Sequence, residues 1–228
     1  LAAIVALGMV ACNNEEVPAV VDGADGTVSV KVVPVSNGAG TRLSGNLSGN
    51  GIAPAGLTAE SAVKKTQVWV FMGDVLDGYG ESVAATADEV KDIPVHVGAR
   101  DIYIVVNGGA LGLQKLTSKA DIEAAVTTVP VNIDANGLVM TAEKIEATLE
   151  AGKNLIGYTS TDTDVTVLDA SPVKVARVNA RVAIVSANLA LTDQNQLDIF
   201  DELRNVEVAM FNVNEKAMIF NPNTASGD

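Results

Sequence analysis

Hydrophobic and polar residues alternate most cleanly over Thr27 to Val35, TVSVKVVPV, where Val28, Val30 and Val32 fall on one side of an extended chain and Ser29 and Lys31 on the other. This period of two is the signature of a half-buried strand. Pro34 has no N–H to give to a ladder, so the strand is expected at a sheet edge or to end there. Further strands are expected at Gln67 to Met72, QVWVFM, with both faces covered and Trp69 in the core, and at Asp92 to Val97 and Asp101 to Asn107, which bracket Gly98-Ala99-Arg100 as a hairpin. Ser118-Lys119-Ala120-Asp121 has capping-box spacing and predicts a short helix through Ile122, Ala125 and Val126. Ala142 to Glu150 has helix-friendly composition, but Ile145, Ala147 and Leu149 alternate with Glu146, Thr148 and Glu150, so it reads as a strand. From Pro172 to Leu191 the phase of the valines slips between Val175 and Val178, which predicts a bulge or a crossing between domains near Ala176 and Arg177. Thr192 to Asn205 reads as a short helix or loop and Val206 to Val213 as one more strand.

Short apolar runs separated by turn residues, in 228 residues of which 48% are apolar, favour an all-β protein with one or two short helices over a helical bundle. A formal charge of -13 repels nucleic-acid phosphates and anionic lipid headgroups, so nucleic acid is not an expected partner. The single cysteine, Cys12, excludes an internal disulfide.

That cysteine follows an uncharged apolar run, Leu1 to Ala11, too short to span a bilayer and suited to a signal-peptide core. Ala11-Cys12 resembles a bacterial lipobox, in which the thiol takes a diacylglycerol and becomes the mature N-terminus; Asn13, Asn14, Glu15 and Glu16 then look like a surface-export tag. The leader is expected to begin upstream of Leu1. After the first strand, Gly38, Ala39 and Gly40 leave Arg42 accessible to a trypsin-like protease, which would cut between Arg42 and Leu43.

Catalytic chemistry is sparsely supplied. The one histidine, His96, lies in an alternating strand and reads as a surface or edge residue. No nucleophile elbow, phosphate-binding loop or Cys/His metal spacing occurs, and the pairs Asp22 with Asp25 and Asp162 with Asp164 read as solvated loop carboxylates. Neither catalytic nor metal residues are expected, and no cofactor.

Several segments together resemble a known family, the fimbrillins of Bacteroidetes that form the major subunits of the type V pilus (the FimA/Mfa1 family). They are the lipobox at Cys12, strand Thr27 to Val35 followed by Arg42, KKTQVWVF from Lys64, ARDIYIVVNGGA from Ala99, GLVMTAE over Gly137 to Glu143, LEAGKNLIGYTS over Leu149 to Ser160, and PVKVARVNARVAI over Pro172 to Ile184. The resemblance implies two tandem transthyretin-like β-sandwiches: a partial signal peptide over 1–11, a lipidated propeptide with a removable first strand over 12–42, an N-terminal sandwich over 43–170 and an incomplete second sandwich over 171–228. It also implies a lipoprotein precursor anchored in the outer membrane, cut after Arg42 by an arginine-specific protease, losing Val28, Val30 and Val32 with its first strand. A neighbouring subunit's strand would then fill the groove. The partners implied are other pilin subunits in a homopolymer, accessory fimbrial proteins, that protease and host surface ligands. The donor strand of the family is expected beyond Asp228. An anchor or tip subunit, a non-polymerising surface lipoprotein adhesin, and a surface hydrolase or glycan binder are the alternatives.

Overall fold

The computed structural model describes residues 23–35, 61–128, 133–179 and 216–220. Its strands are β1 Gly26–Pro34, β2 Thr66–Met72, β3 Val75–Glu81, β4 Glu89–Val95, β5 Gly98–Val106, β6 Val126–Thr127, β7 Met140–Thr141, β8 Ile145–Leu149, β9 Gly152–Ile156, β10 Val165–Asp169, β11 Val173–Arg177 and β12 Ala217–Met218. The fold is all-β, as expected. Ten strands form a continuous sheet in the order β10-β9-β1-β11-β7-β5-β2-β3, with β4 beside β1 and β8 beside β5. The sheet doubles back on itself. Val28, Val30 and Val32 of β1 share one core with Val68 and Val70 of β2, Ile93 of β4, and Ile102 and Ile104 of β5.

The β2–β5 layer is covered on both faces, as the alternation of QVWVFM predicts. Its second face packs Trp69, Phe71 and Tyr103 under Leu113, Ile122 and Val139, and under Ile219 from the far end of the chain. Ile219 N–H donates to Ala125 O at 2.8 Å, and Phe220 meets Tyr103 edge-on at 5.1 Å. Met72, expected inside with Val68 and Val70, is instead half exposed at the end of its strand. The helix at Ser118 forms with the predicted cap, the Ser118 hydroxyl accepting from Asp121 N–H at 3.1 Å, but it spans only Lys119–Glu123. Val126, expected in the helix, belongs to β6.

One expectation is overturned, and of the two alternatives at Ala176 and Arg177 the bulge is excluded. Gly98-Ala99-Arg100 does not make a hairpin, because β4 pairs with β1 while β5 pairs with β2 and β8. Gly98, at φ +113, turns the chain from one layer to the other. There is also no bulge at Ala176 and Arg177, where β11 keeps an unbroken register against β7 and Val178 N–H continues it to Val139 O at 3.0 Å. The slip in phase is a change in which face carries the valines: Val175 lies in the first core and Val178 packs on the second. Strand β11, expected to open a second unit, is bonded to β1 and β7 of the first. The segments 192–205 and 206–213 lie outside the described residues.

Candidate functional site: the slot occupied by the first strand

The placement of β1 is where the structure departs most usefully from the sequence pattern. Thr27, Val28 and Val30 are each in register with β4 and with β9 at once, which requires a partner on each edge. Farther along, Val32, Val33 and Pro34 pair in parallel with β11. The strand is therefore central rather than at an edge, and Pro34 sits at its last position, where a missing donor costs least. Val28, Val30 and Val32 are buried to 0%, 0% and 2% exposure, while Val33 and Val35, on the opposite side, are 41% and 42% exposed. Burying three valines at roughly 1.5 to 3 kcal/mol each makes this slot a substantial part of the fold's stability.

Side chains fasten the strand at three levels. At its start, Gly26 lies so close to the β8–β9 turn that a Cβ there would stand 2.7 Å from Gly152 O and 2.9 Å from Glu150 O. That turn is braced by Asn154, fully buried, whose Oδ1 accepts from Glu150 N–H at 2.9 Å and whose Nδ2 donates to Glu150 O at 2.8 Å and to Thr27 O at 3.1 Å. At the middle, Lys91 and Asp92 bulge opposite Ser29, whose hydroxyl accepts from Asp92 N–H at 3.0 Å. Near its end, Lys31 Nζ reaches Glu89 Oε1 at 2.8 Å and Asp88 Oδ2 at 4.0 Å, and lies 6.0 Å from the centre of the Tyr158 ring. Glu89 also takes Lys91 at 2.7 Å, and the hydrogen bonds from Lys31 and Lys91 hold its carboxyl below the ordinary carboxylate range. Burial pushes the Tyr158 hydroxyl up, and the carboxylates of Glu89, Asp88 and Asp92 push it further.

Other sites anticipated from the sequence separate cleanly. Cys12, Arg42 and Leu43 lie outside the described residues. Among the described residues no cluster of metal-ligating side chains occurs, and Asp162 serves its own loop, its Oδ1 accepting from Asp164 N–H at 3.0 Å. His96 is more engaged than a surface residue. Its Nδ1 meets Asp77 Oδ1 at 2.6 Å and its N–H donates to Asp77 Oδ2 at 3.0 Å, while Arg100 Nε donates to that same Oδ2 at 2.6 Å. Burial works to raise the Asp77 carboxyl, but the bonds from Arg100 and His96 outweigh it and hold it low. With Asp77 and Arg100 both buried, the cluster braces the passage of the chain from β4 to β5. An open hollow of about 290 Å³ beside it is lined by Met72, Val75, Leu76 and Val97.

Sequence reasoning missed Asn107 and Asn154. Asn107, in the left-handed region at φ 63, accepts from Lys64 N–H at 2.8 Å on Oδ1 and donates from Nδ2 to Ala62 O and Leu138 O, both at 2.9 Å. The only signal was Asn-Gly-Gly at a strand end, which reads equally as an ordinary turn.

Residues 27–196, from β1 past β11, match the family profile described as major fimbrial subunit protein (FimA). The chain belongs to this FimA family. It is similar to the major fimbrium subunit FimA type-2 of Porphyromonas gingivalis, 30% identical over 193 residues, and to the type-3 subunit of the same organism, 31% identical over 193 residues. In each case the match covers 84% of this chain and 46% of the relative, so this FimA-family chain spans about half the length of the curated relatives it matches. Among solved structures, one from Parabacteroides distasonis, provisionally assigned to cell adhesion, superposes with a TM-score of 0.51 at 20% identity, over 68% of this chain and 46% of that one. That likeness shows the fold alone.

Proposed function

We propose that this chain is part of a structural subunit of a cell-surface fimbria, exported as a lipoprotein through Cys12, matured by an arginine-specific protease cutting between Arg42 and Leu43, and polymerised by exchange of a strand into the β1 slot. The observation that carries the reading is the position of β1. It is buried and paired on both edges, yet it bonds to neither β2 nor β3, and only residues 35–65, which include Arg42, join it to the next strand. A cut there leaves β1 held by non-covalent contacts alone. Its departure would strip β4, β9 and β11 of backbone partners and open three apolar pockets, a state that favours capture of another extended segment. The family's name and those of the relatives support the fimbrial part of the reading. Other copies of the subunit, accessory fimbrial proteins, the outer membrane of the precursor stage and host surface ligands are the partners it entails.

Arg42→Ala is expected to leave the subunit lipidated and monomeric when produced in cells that make the arginine protease. The readout is filament formation by electron microscopy, with the mass of the N-terminal fragment measured in parallel. Filaments built from this variant would overturn the cleavage step.

A further inference from the structure

We propose that the β1 slot selects its occupant by two features beyond its three apolar pockets: it excludes any side chain at the position of Gly26, and it requires a cation at the position of Lys31. The inference rests on the reading that β1 is replaced, and it names the chemistry of the replacement.

The first feature is steric. The atoms a Cβ at position 26 would strike, Gly152 O and Glu150 O, are backbone, so no rotamer change relieves the clash. Nor can the turn that carries them easily retreat. Gly152 holds φ +89, and Asn154 grips Glu150 by both its N–H and its carbonyl from a fully buried position.

The second feature is electrostatic. Asp88 and Glu89 do not leave with β1, and Lys91, the one cation bonded to Glu89 from its own strand, occupies the other carboxylate oxygen. With β1 gone, Asp88 and Glu89 would remain at the lip of the slot beside the Tyr158 ring, with Lys91 bonded to Glu89 and the place of Lys31 empty. An incoming lysine or arginine would restore the pairing, whereas a carboxylate would face like charges on a chain already strongly acidic. The occupant is therefore an extended strand reading glycine, any residue, apolar, any residue, apolar, cation, apolar, from the position of Gly26 to that of Val32. GTVSVKV of this chain meets the pattern at every place.

The test uses the full chain nicked at Arg42 and fluorescent synthetic peptides of residues 24–35, with the rate and extent of uptake read by gel and by anisotropy. The native peptide is expected to enter, and the Lys31→Glu and Gly26→Val peptides to enter at least about tenfold more slowly. On a chain carrying Asp88→Lys and Glu89→Lys the charge preference should invert, with the Lys31→Glu peptide favoured and the Gly26→Val peptide still refused. Equal uptake of all peptides by the unsubstituted chain overturns the selectivity and leaves strand exchange standing. Failure of every peptide, the native one included, overturns the exchange reading and the selectivity with it.

Discussion

β1 and β2 are both central strands of the same sheet system, yet they are tied to the molecule in different ways. β2 buries both faces, with Val68, Trp69, Val70 and Phe71 all at 0% exposure, and it continues through a tight turn into β3, its antiparallel neighbour. β1 buries one face well, turns Val33 and Val35 outward, and bonds to strands distant in the chain. Backbone pairing alone would rank the two alike. The difference lies in how many layers each strand serves: β2 belongs to two cores and β1 to one. A molecule that had to give up one central strand would lose less by giving up the one-faced strand.

The comparison can be broken most forcefully at Trp69. Its removal in Trp69→Ala empties a fully buried site against Tyr79, and should cost roughly 3–5 kcal/mol in denaturant unfolding. The loss should be equal in the intact chain and in assembled material, because β2 stays in both. Val30→Thr sharpens the contrast. A hydroxyl in the apolar slot should destabilise the intact chain by roughly 1–3 kcal/mol, but assembled fibres should unfold as the unsubstituted ones do. If fibre stability falls as much as that of the intact chain, β1 has not left the subunit.

How far the chain could be read in advance follows the same division. Strands whose alternation serves one or two cores, such as β1, β2, β5 and β8, are plain in the spacing of their apolar residues, and the hydroxyl of Ser118 announces its helix. The number of neighbours a strand has is not encoded in its own periodicity, which is why β1 reads as an edge. β3 was invisible for another reason. Gly78 and Gly80 look like loop residues, but a Cβ at either would come within 2.6 Å of β4, at Pro94 O and Ile93 Cγ1 respectively, so glycine is what lets β4 lie across it. A hairpin at Gly98 was the natural local inference, and only the partners of β4 and β5 reveal the change of layer. Of the slot, the three valines were legible as a stripe; Asn154, Glu89 and the closeness of Gly26 to the β8–β9 turn were not, since each acts on a residue far away in sequence. Nothing in the spacing of Arg100 and Asp77 names them as partners, since 23 positions separate them and each has other charged residues nearby in sequence.

The smallest effect, and the finest test of the difference, lies in how acid loosens β1. Hydrogen bonds from Lys31 first and Lys91 second lower the Glu89 carboxyl, so their contribution is complete above the ordinary carboxylate range and is lost as pH falls through the lowered value. Lys31 is raised by Glu89, so its share is present below the ordinary lysine range and fades only as pH rises through the raised value. Between these limits the latch is constant; below the ordinary carboxylate range it fails from the Glu89 side. Because the pair is part-buried and Lys31 leaves it open to solvent screening, Glu89→Gln should cost less than about 1 kcal/mol at neutral pH. It should also flatten the acid limb of the release of β1 from nicked chain, followed by native mass spectrometry. Protection of β2 amides against hydrogen exchange should not respond to this substitution, since Glu89 touches the outer face of β1 and neither of the cores that β2 joins. A matched loss at β2 would mean that the two central strands open as one unit, and the one-faced strand would have no separate route out.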